Sequence, residues 1–443
     1  MTQRARETKQ PALPRRRGVL AGLFFALVLS VACAAAGQAG AAPGDVVWRD
    51  FSQRVAGGAD SYAALAVSPA GDACVAGSTS AAPSAPGDVL VRRYGPGGKV
   101  VWSRVWTWPG RSDDGAAALA RDRRGGIIVA GSSGSSWLLL KYGARGYLQW
   151  VRRGHGEFAR CAFAAVAVDG SGNGYAAGVA APAGGDSRLL LRKYSAAGAF
   201  RWQRTLTSDG GDAQAAAIVL GGGGVYVAGR SATGDGTSAA LVAGYSPAGA
   251  RRWTHEYAAS GAEAVRATGI AYAAGPVIAG WGAAGAASPR GFVARYDTDG
   301  KPTWATAYAA QDVTGSRFDG LVVDTAGVCA TGSRWTGGGQ EMFTVRFDAL
   351  GASAWERVQT GATSGTAVCR TAGGFCSVGG TAAASAGLVS AAGAPVWEQT
   401  VAPTGYAGFL PAAVAAGGAD YLYAAGAAAY DGGSAAMLIR YRP

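Results

Sequence analysis

The chain has 443 residues, a formal charge of +12, and 15% charged against 49% hydrophobic residues. That balance excludes a solvated, disordered polymer. Its 72 glycines, about twice the ordinary usage, with 13 Trp and 17 Tyr at regular positions, point to a β-rich fold dense in tight turns.

Residues 1–41 read as an export signal. Arg4, Arg6, Lys9, Arg15, Arg16 and Arg17 form a basic region, GVLAGLFFALVLSVACAAA (18–36) an apolar one, and AGA (39–41) a cleavage site before Ala42. The alternative is an uncleaved membrane anchor, since the run is barely long enough to span. Arg16-Arg17 also admits the twin-arginine route. Cys33 admits a lipoprotein, although Ser30 stands where that pattern wants Leu. Cleavage removes six basic groups and Glu7 and leaves a mature chain of +7. This domain, 42–443, carries no Lys/Arg run and no membrane span. It is expected in the cell envelope or outside the cell, not on nucleic acid, with a weak attraction to anionic envelope polymers.

From there a nine-residue phrase returns, aromatic at both ends with glycine between: YGARGYLQW (142–150), YSAAGAFRW (194–202), YSPAGARRW (245–253), YDTDGKPTW (296–304). Its tryptophans are Trp48, Trp102, Trp150, Trp202, Trp253, Trp304, Trp355 and Trp397, each preceded by a glycine four residues earlier. Trp48 lacks the leading aromatic, and Tyr441 at the far end lacks the tryptophan. Between phrases, LAVSPAGDACVAGS (65–78), VAVDGSGNGYAAG (166–178), GIAYAAGPVIAG (269–280) and LVVDTAGVCATG (321–332) read as β-hairpins. A third strand leads into each phrase (DVLVRRY, WLLLKY, RLLLRKY, MFTVRF), and the phrase turns into a fourth. Four-stranded units repeated at this period predict an all-β, monomeric β-propeller of eight four-stranded blades, closed by the N-terminal strand GDVVWRDF (44–51). Seven blades is the alternative.

The hairpins, with their D…A-x-A-V-x-x-x-G-x-x-Y-V-A-G-x-[ST] pattern, and the L-[VL]-x-[KR]-Y-x-x-x-G-x-x-x-W phrases resemble the secreted bacterial β-propeller repeats called SBBP repeats. They also resemble the wider quinoprotein-like propeller superfamily. The resemblance spans residues 44–443 and implies a propeller. It also implies one enzyme class, a quinone-dependent dehydrogenase, whose members need adjacent cysteines and carboxylates around calcium. No two cysteines here are adjacent, and no matching acidic cluster is present.

Hydrolase and nucleotide motifs are missing: no G-x-S-x-G, H-E-x-x-H, C-x-x-C or G-x-x-x-x-G-K-[ST]. His155 and His255 read as surface residues. Cys74, Cys329 and Cys376 fall on one apolar slot of the repeat and Cys369 on another. Cys369 and Cys376 stand across a hairpin, as a disulfide if geometry permits; Cys161 has no evident partner. DGSGNG (169–174) sets Asp169, Ser171 and Asn173 at the spacing of a calcium loop. Aligned turns such as SPAG and SAAG do without those ligands, so turn chemistry is the plainer reading and no cofactor is expected. Asp60, Asp114, Asp212 and Glu263 all lie seventeen residues before the repeat glycine, where the inner strand begins. They either hold the blade connections through backbone N–H groups or line a mouth for a cationic or hydroxyl-rich ligand. Arg93, Lys141, Lys193, Arg295, Arg346 and Arg440 read as the solvated side of one strand.

The function expected is non-enzymatic binding or scaffolding, with an unknown protein or glycan partner held at the channel mouth by the long post-Trp connections. The alternative is an extracellular enzyme, a hydrolase or lyase, acting on polysaccharide through mouth carboxylates.

Overall fold

The computed structural model describes residues 42–443 except 111, 260, 286–287, 360 and 381–383. The expected export signal, 1–41, lies outside the described residues. The described chain is all strand and turn, without a helix. Among the described residues, accordingly, no helix is long and apolar enough to cross a membrane.

Its strands run in consecutive antiparallel fours. In the first unit, Ala59–Val67 pairs with Ala73–Ser80, that strand with Asp88–Tyr94, and that in turn with Val100–Trp106. The first strands of the later units are Asp114–Arg121, Arg160–Val168, Ala213–Gly221, Ala264–Tyr272, Val313–Asp324, Gly365–Thr371 and Gly408–Gly417. Each lies against the first strand of the next unit, and Gly408–Gly417 lies against Ala59–Val67. The last unit supplies only three strands from its own segment. Its fourth is Val46–Ser52, which pairs antiparallel with Gly433–Tyr441.

Second and third strands are buried on both faces, as in IIVAGSS (127–133) and SWLLLKY (136–142), because a sheet stacks on either side of them. The core is accordingly a set of clusters, each shared by two neighbouring units. Cys74, Val89 and Trp102 meet Ile127, Leu138 and Tyr142 of the next unit. Tyr62, Val75 and Tyr94 meet Tyr423, Ala425 and Leu438 of the last one, with Trp48 among them.

The repeated phrase is the fastener between units. Gly98 has φ +85°, and a Cβ there would lie 2.8 Å from the Trp48 ring. Only glycine allows both that backbone and that approach. Gly249 sits in the same way on Trp202, and Gly44 on Trp397. The indole N–H then donates to a carbonyl of the same turn: Trp48 to Pro96 at 2.9 Å, Trp102 to Ala144 at 3.0 Å, Trp253 to Thr298 at 2.9 Å. The phrase glycine is thus set by the tryptophan of the neighbouring unit as well as by its own turn.

Every first strand is bulged at the same place, leaving Ala63, Ala117, Ala164, Ala216, Thr268, Asp319, Thr366 and Ala412 outside the pairing, and Val313–Asp324 has a second irregularity after Val313. Small residues suit this crowded point where first strands meet. The two threonines bond across it, Thr268 Oγ1 donating to the Phe318 carbonyl at 2.7 Å and Thr366 Oγ1 to that of Pro411 at 2.8 Å.

Two expectations about side chains need correction or completion. The basic residues before the phrase aromatic are not a solvated row. Lys141 and Arg346 are buried and paired with Asp122 and Asp324, while Arg93 meets Asp72 at 3.1 Å. Their stems cover apolar surface and their charges end on hairpin-turn carboxylates. Cys369 and Cys376 are directly opposed in register but are free thiols. Burial pushes the Cys369 thiol up to about 12 and raises that of Cys376 well above the ordinary thiol range, so neither is a ready nucleophile.

Candidate ligand-binding mouth

One end of the molecule collects the starts of the first strands, the connections that lead into them, and the turns between second and third strands. The sequence placed Asp60, Asp114, Asp212 and Glu263 there in one structural position. They do not share one. Asp60 pairs with Thr79 and Asp114 with Ser133, but the equivalent residues of the fourth and fifth units are Ala213, opposite Ser231, and Val265, opposite Gly282. The physical reason is the hairpin between. Equivalent cross-strand partners are twelve residues apart at Ala64 and Ala76, eleven at Ala217 and Ala228, and ten at Gly269 and Ala279. A fixed offset counted across hairpins of unequal length slips by one residue at Asp212 and by two at Glu263. The third unit has Cys161 in this position, buried, with its thiol 3.4 Å from the Gly154 carbonyl.

Asp60 and Asp114 are fully buried, and each turns back on the connection that precedes it. Asp60 Oδ2 accepts the Arg54 N–H at 2.8 Å; Asp114 accepts the Trp108 N–H and the Ser112 hydroxyl, both at 2.6 Å. Burial raises the Asp60 carboxyl above its ordinary range against these bonds. Asp212 reaches across to the preceding third strand and accepts the Ser187 N–H and hydroxyl, both at 2.7 Å, which hold its carboxyl below the usual range. Glu263 is exposed and accepts the Gly285 N–H at 3.0 Å. All four carboxylates therefore fasten loops.

One residue further in, the units diverge. Ser61 stands opposite Ser78 and Gly115 opposite Ser132, and these four help line a groove of ≈ 550 Å³ with Ser80 and Ser434. Leu410 faces Ala427 in the last unit. The fourth, fifth and sixth units instead pair Gln214 with Arg230, Arg266 with Trp281, and Arg317 with Ser333. Arg266 is exposed and lies over the Trp281 ring, 4.3 Å from its centroid. Arg317 Nε donates to Asp319 Oδ2 at 2.9 Å. With its amide oxygen turned inward, Gln214 accepts from Arg230 Nε at 3.0 Å and Nη2 at 3.1 Å. Although the side chain reaches solvent, partial burial and the neighbouring Arg230 hold Arg266 below the ordinary guanidinium range, with Asp319 opposing and Arg317 adding to the shift. Three guanidiniums and one carboxylate thus share a field, and burial raises that carboxyl, Asp319, above its usual value.

None of Arg230, Arg266, Trp281, Arg317 and Asp319 was singled out by sequence reasoning. The available signal was positional: they are charged or aromatic where the remaining units carry small or aliphatic residues such as Ser61, Gly115, Val179 and Leu410. It becomes visible only when the hairpins are aligned by strand register.

At the other end, Asp169 closes its own turn. Its Oδ1 accepts the N–H groups of Ser171 and Asn173, both at 2.9 Å, and its Oδ2 accepts the Asn173 side-chain amide at 2.8 Å. Asn173 offers a donor here, so the pair is set as an Asx-type turn and not as two oxygen ligands. Asp297 does the same with Asp299 and Lys301. Among the described residues no group of three or more His, Cys, Asp or Glu is placed to hold a metal ion. His155 is exposed in a connection, and His255 lies in an outer groove of ≈ 700 Å³ with Asp209, Arg251, Arg252 and Glu256.

No family model matches the sequence, and no curated protein matches it. Solved structures do. The chain is similar to Sqt1 from Chaetomium thermophilum, with a TM-score of 0.58 and 11% identity over 91% of this chain and 100% of that one. It is also similar to the Dos1 propeller, with a TM-score of 0.50 and 10% identity over 86% and 93%. The fold is a β-propeller. At these identities the likeness establishes architecture alone, and function rests on the propeller's own residues.

Proposed function

We propose that this propeller is an exported, monomeric binding or scaffold protein of the cell envelope or extracellular space, with eight blades closed by its N-terminal strand. On this reading it is a relative of the SBBP-type repeat proteins and holds its partner at the channel mouth without performing chemistry on it. Closure is supported by the pairing of Val46–Ser52 with the last unit, by Gly44 lying on Trp397, and by the bond from the Tyr94 hydroxyl to Asp50 at 2.7 Å.

The observation that carries the binding role is the contrast inside the mouth. A scaffold whose fastenings repeat from unit to unit departs from its pattern there, with an indole and three guanidiniums on three consecutive units. Variable side chains on a rigid frame are where recognition is built. Asp60, Asp114, Asp212 and Glu263, the carboxylates at the strand starts, are tied to backbone N–H groups, and Asp319 is bonded to Arg317. A binding screen of the full chain against glycans and envelope extracts tests the reading. Partners lost on substitution at the mouth support it. Turnover of a polysaccharide that Asp114→Asn abolishes with the fold intact would overturn it in favour of a hydrolase or lyase.

A further inference from the structure

The geometry points to an acidic oligosaccharide as the ligand, with its carboxylates taken by Arg266, Arg317 and Arg230 and its hydroxyls by the serine groove of the first two units; this inference rests on the mouth being the binding face. Arg266 is the central residue. Its guanidinium lies over the Trp281 ring, 4.3 Å from the centroid, and among the described residues it forms no ion pair. Contact with the ring face steadies the guanidinium, whose fork of N–H groups suits a planar, bidentate acceptor such as a carboxylate. Asp319 answers only part of the charge, because its bond goes to Arg317. The cluster therefore keeps an excess of two positive charges where blade strands converge, at the site of repulsion between Arg266 and its neighbours Arg230 and Arg317. Such an excess is relieved by an anion from solution.

The sugar assignment comes from the rest of the same end. The groove between the first two units is rich in hydroxyls, from Ser61, Ser78, Ser80, Ser132 and Ser434, and holds one exposed carboxylate, Asp113, at its wall. A ligand that meets guanidiniums and an indole on one side and small hydroxyl residues on the other combines negative charge with several hydroxyls. A uronic acid polymer has that chemistry. An acidic peptide supplies the charge without the hydroxyls.

The test titrates the full chain calorimetrically with a short oligogalacturonate, a neutral malto-oligosaccharide of equal length and a polyglutamate peptide. The expected result is oligogalacturonate binding that weakens at least about tenfold in Arg266→Ala and in Arg317→Ala, and falls as salt rises from about 20 to about 200 mM. Arg251→Ala in the outer groove should leave it unchanged, and circular dichroism establishes that each variant is folded. Equal affinity for the neutral sugar, or indifference to both mouth arginines, overturns the inference. Tighter binding of polyglutamate overturns the sugar assignment. Binding lost with Arg251→Ala but kept in Arg266→Ala sinks the mouth reading itself. A neutral sugar that binds and is lost with Trp281→Ala leaves the mouth standing and removes only the anion.

Discussion

The seams between units and the layer inside the mouth are built on the same repeat, yet they follow opposite rules. At the seams a glycine of positive φ lies on a neighbour's tryptophan, whether the pair is Gly98 on Trp48 or Gly393 on Trp355. In the mouth layer, Ser61 opposite Ser78 becomes Arg266 opposite Trp281 four units later. The seam is uniform because two sheets can pack at one angle only if the same shapes meet each time. The mouth layer faces no such partner, so its side chains are free to differ. Repetition thus marks packing, and its interruption marks the place where something else is recognised.

The most severe way to break the comparison is to remove one seam's strand. Deleting residues 43–52 takes away Trp48, exposes the edge of Gly433–Tyr441, and leaves Arg92 without Asp50, 3.6 Å away in the native fold. The melting temperature is expected to fall by more than about 10 °C, since burial of the indole alone contributes a few kcal/mol. Thermal unfolding followed by circular dichroism measures this.

A single methyl separates seam glycines from ordinary turn glycines. Gly249 has φ +88°, and a Cβ there would stand 2.8 Å from the Trp202 ring; Gly184 has φ +67° with nothing within 4 Å. Gly249→Ala should cost about 3 kcal/mol or more, through strain and displacement of the indole, and Gly184→Ala about 1 kcal/mol. Urea unfolding midpoints compare the two.

Among the mouth carboxylates, stability should track burial and bonding, not sequence offset. Asp114→Ala removes the acceptor of two 2.6 Å bonds in a buried site and should cost about 1–3 kcal/mol. Glu263→Gln, at an exposed position, should stay within about 0.5 kcal/mol. Equal losses at both would mean that the two positions are equivalent after all.

The smallest effect sharpens the mouth itself. Asp319 has its carboxyl raised by burial, so it takes up a proton earlier than an ordinary Asp as pH falls. Above that raised value its charge opposes folding and neutralises Arg317; as pH falls through it the neutralisation is lost, and the folding penalty fades on the way down to the ordinary Asp value. Affinity for a sulfated oligosaccharide, which keeps its charge in acid, should therefore rise a few-fold on acidification. Asp319→Asn should show the higher affinity throughout and lose that pH dependence. Asp212 works with the opposite sign. Its carboxyl is lowered by Ser187, so its stabilising bonds are complete above the ordinary Asp value and are lost as pH falls through the lowered one.

Much of the architecture was legible beforehand. Four strands per unit, the turn role of the phrase glycines, the core slots of Cys74, Cys329 and Cys376, and the pairing of residues 46–52 with the last strand all follow from periodicity and turn chemistry. The candidate site was less legible. Asp60 and Asp114 were placed correctly at the start of a first strand, whereas Asp212 and Glu263 were displaced by shortened hairpins. Lys141 and Arg346 looked solvated because a charge in an alternating strand ordinarily faces water, but here Asp122 and Asp324 meet them in the interior.

Local pattern and turn geometry act over a few residues, so the amino-acid sequence by itself determined which segments are strands, where the chain reverses and which side chains are core. Side chains brought together from different units depend on register summed over whole hairpins, and on the convergence of strands some fifty residues apart in the repeat. Only the tertiary structure decided that Trp202 needs a glycine in the next unit, and that Arg266, Arg317 and Asp319 share one field. The physical reason is range: hydrogen-bonded turns are written in adjacent residues, while charge and packing act through space, without regard to distance along the chain.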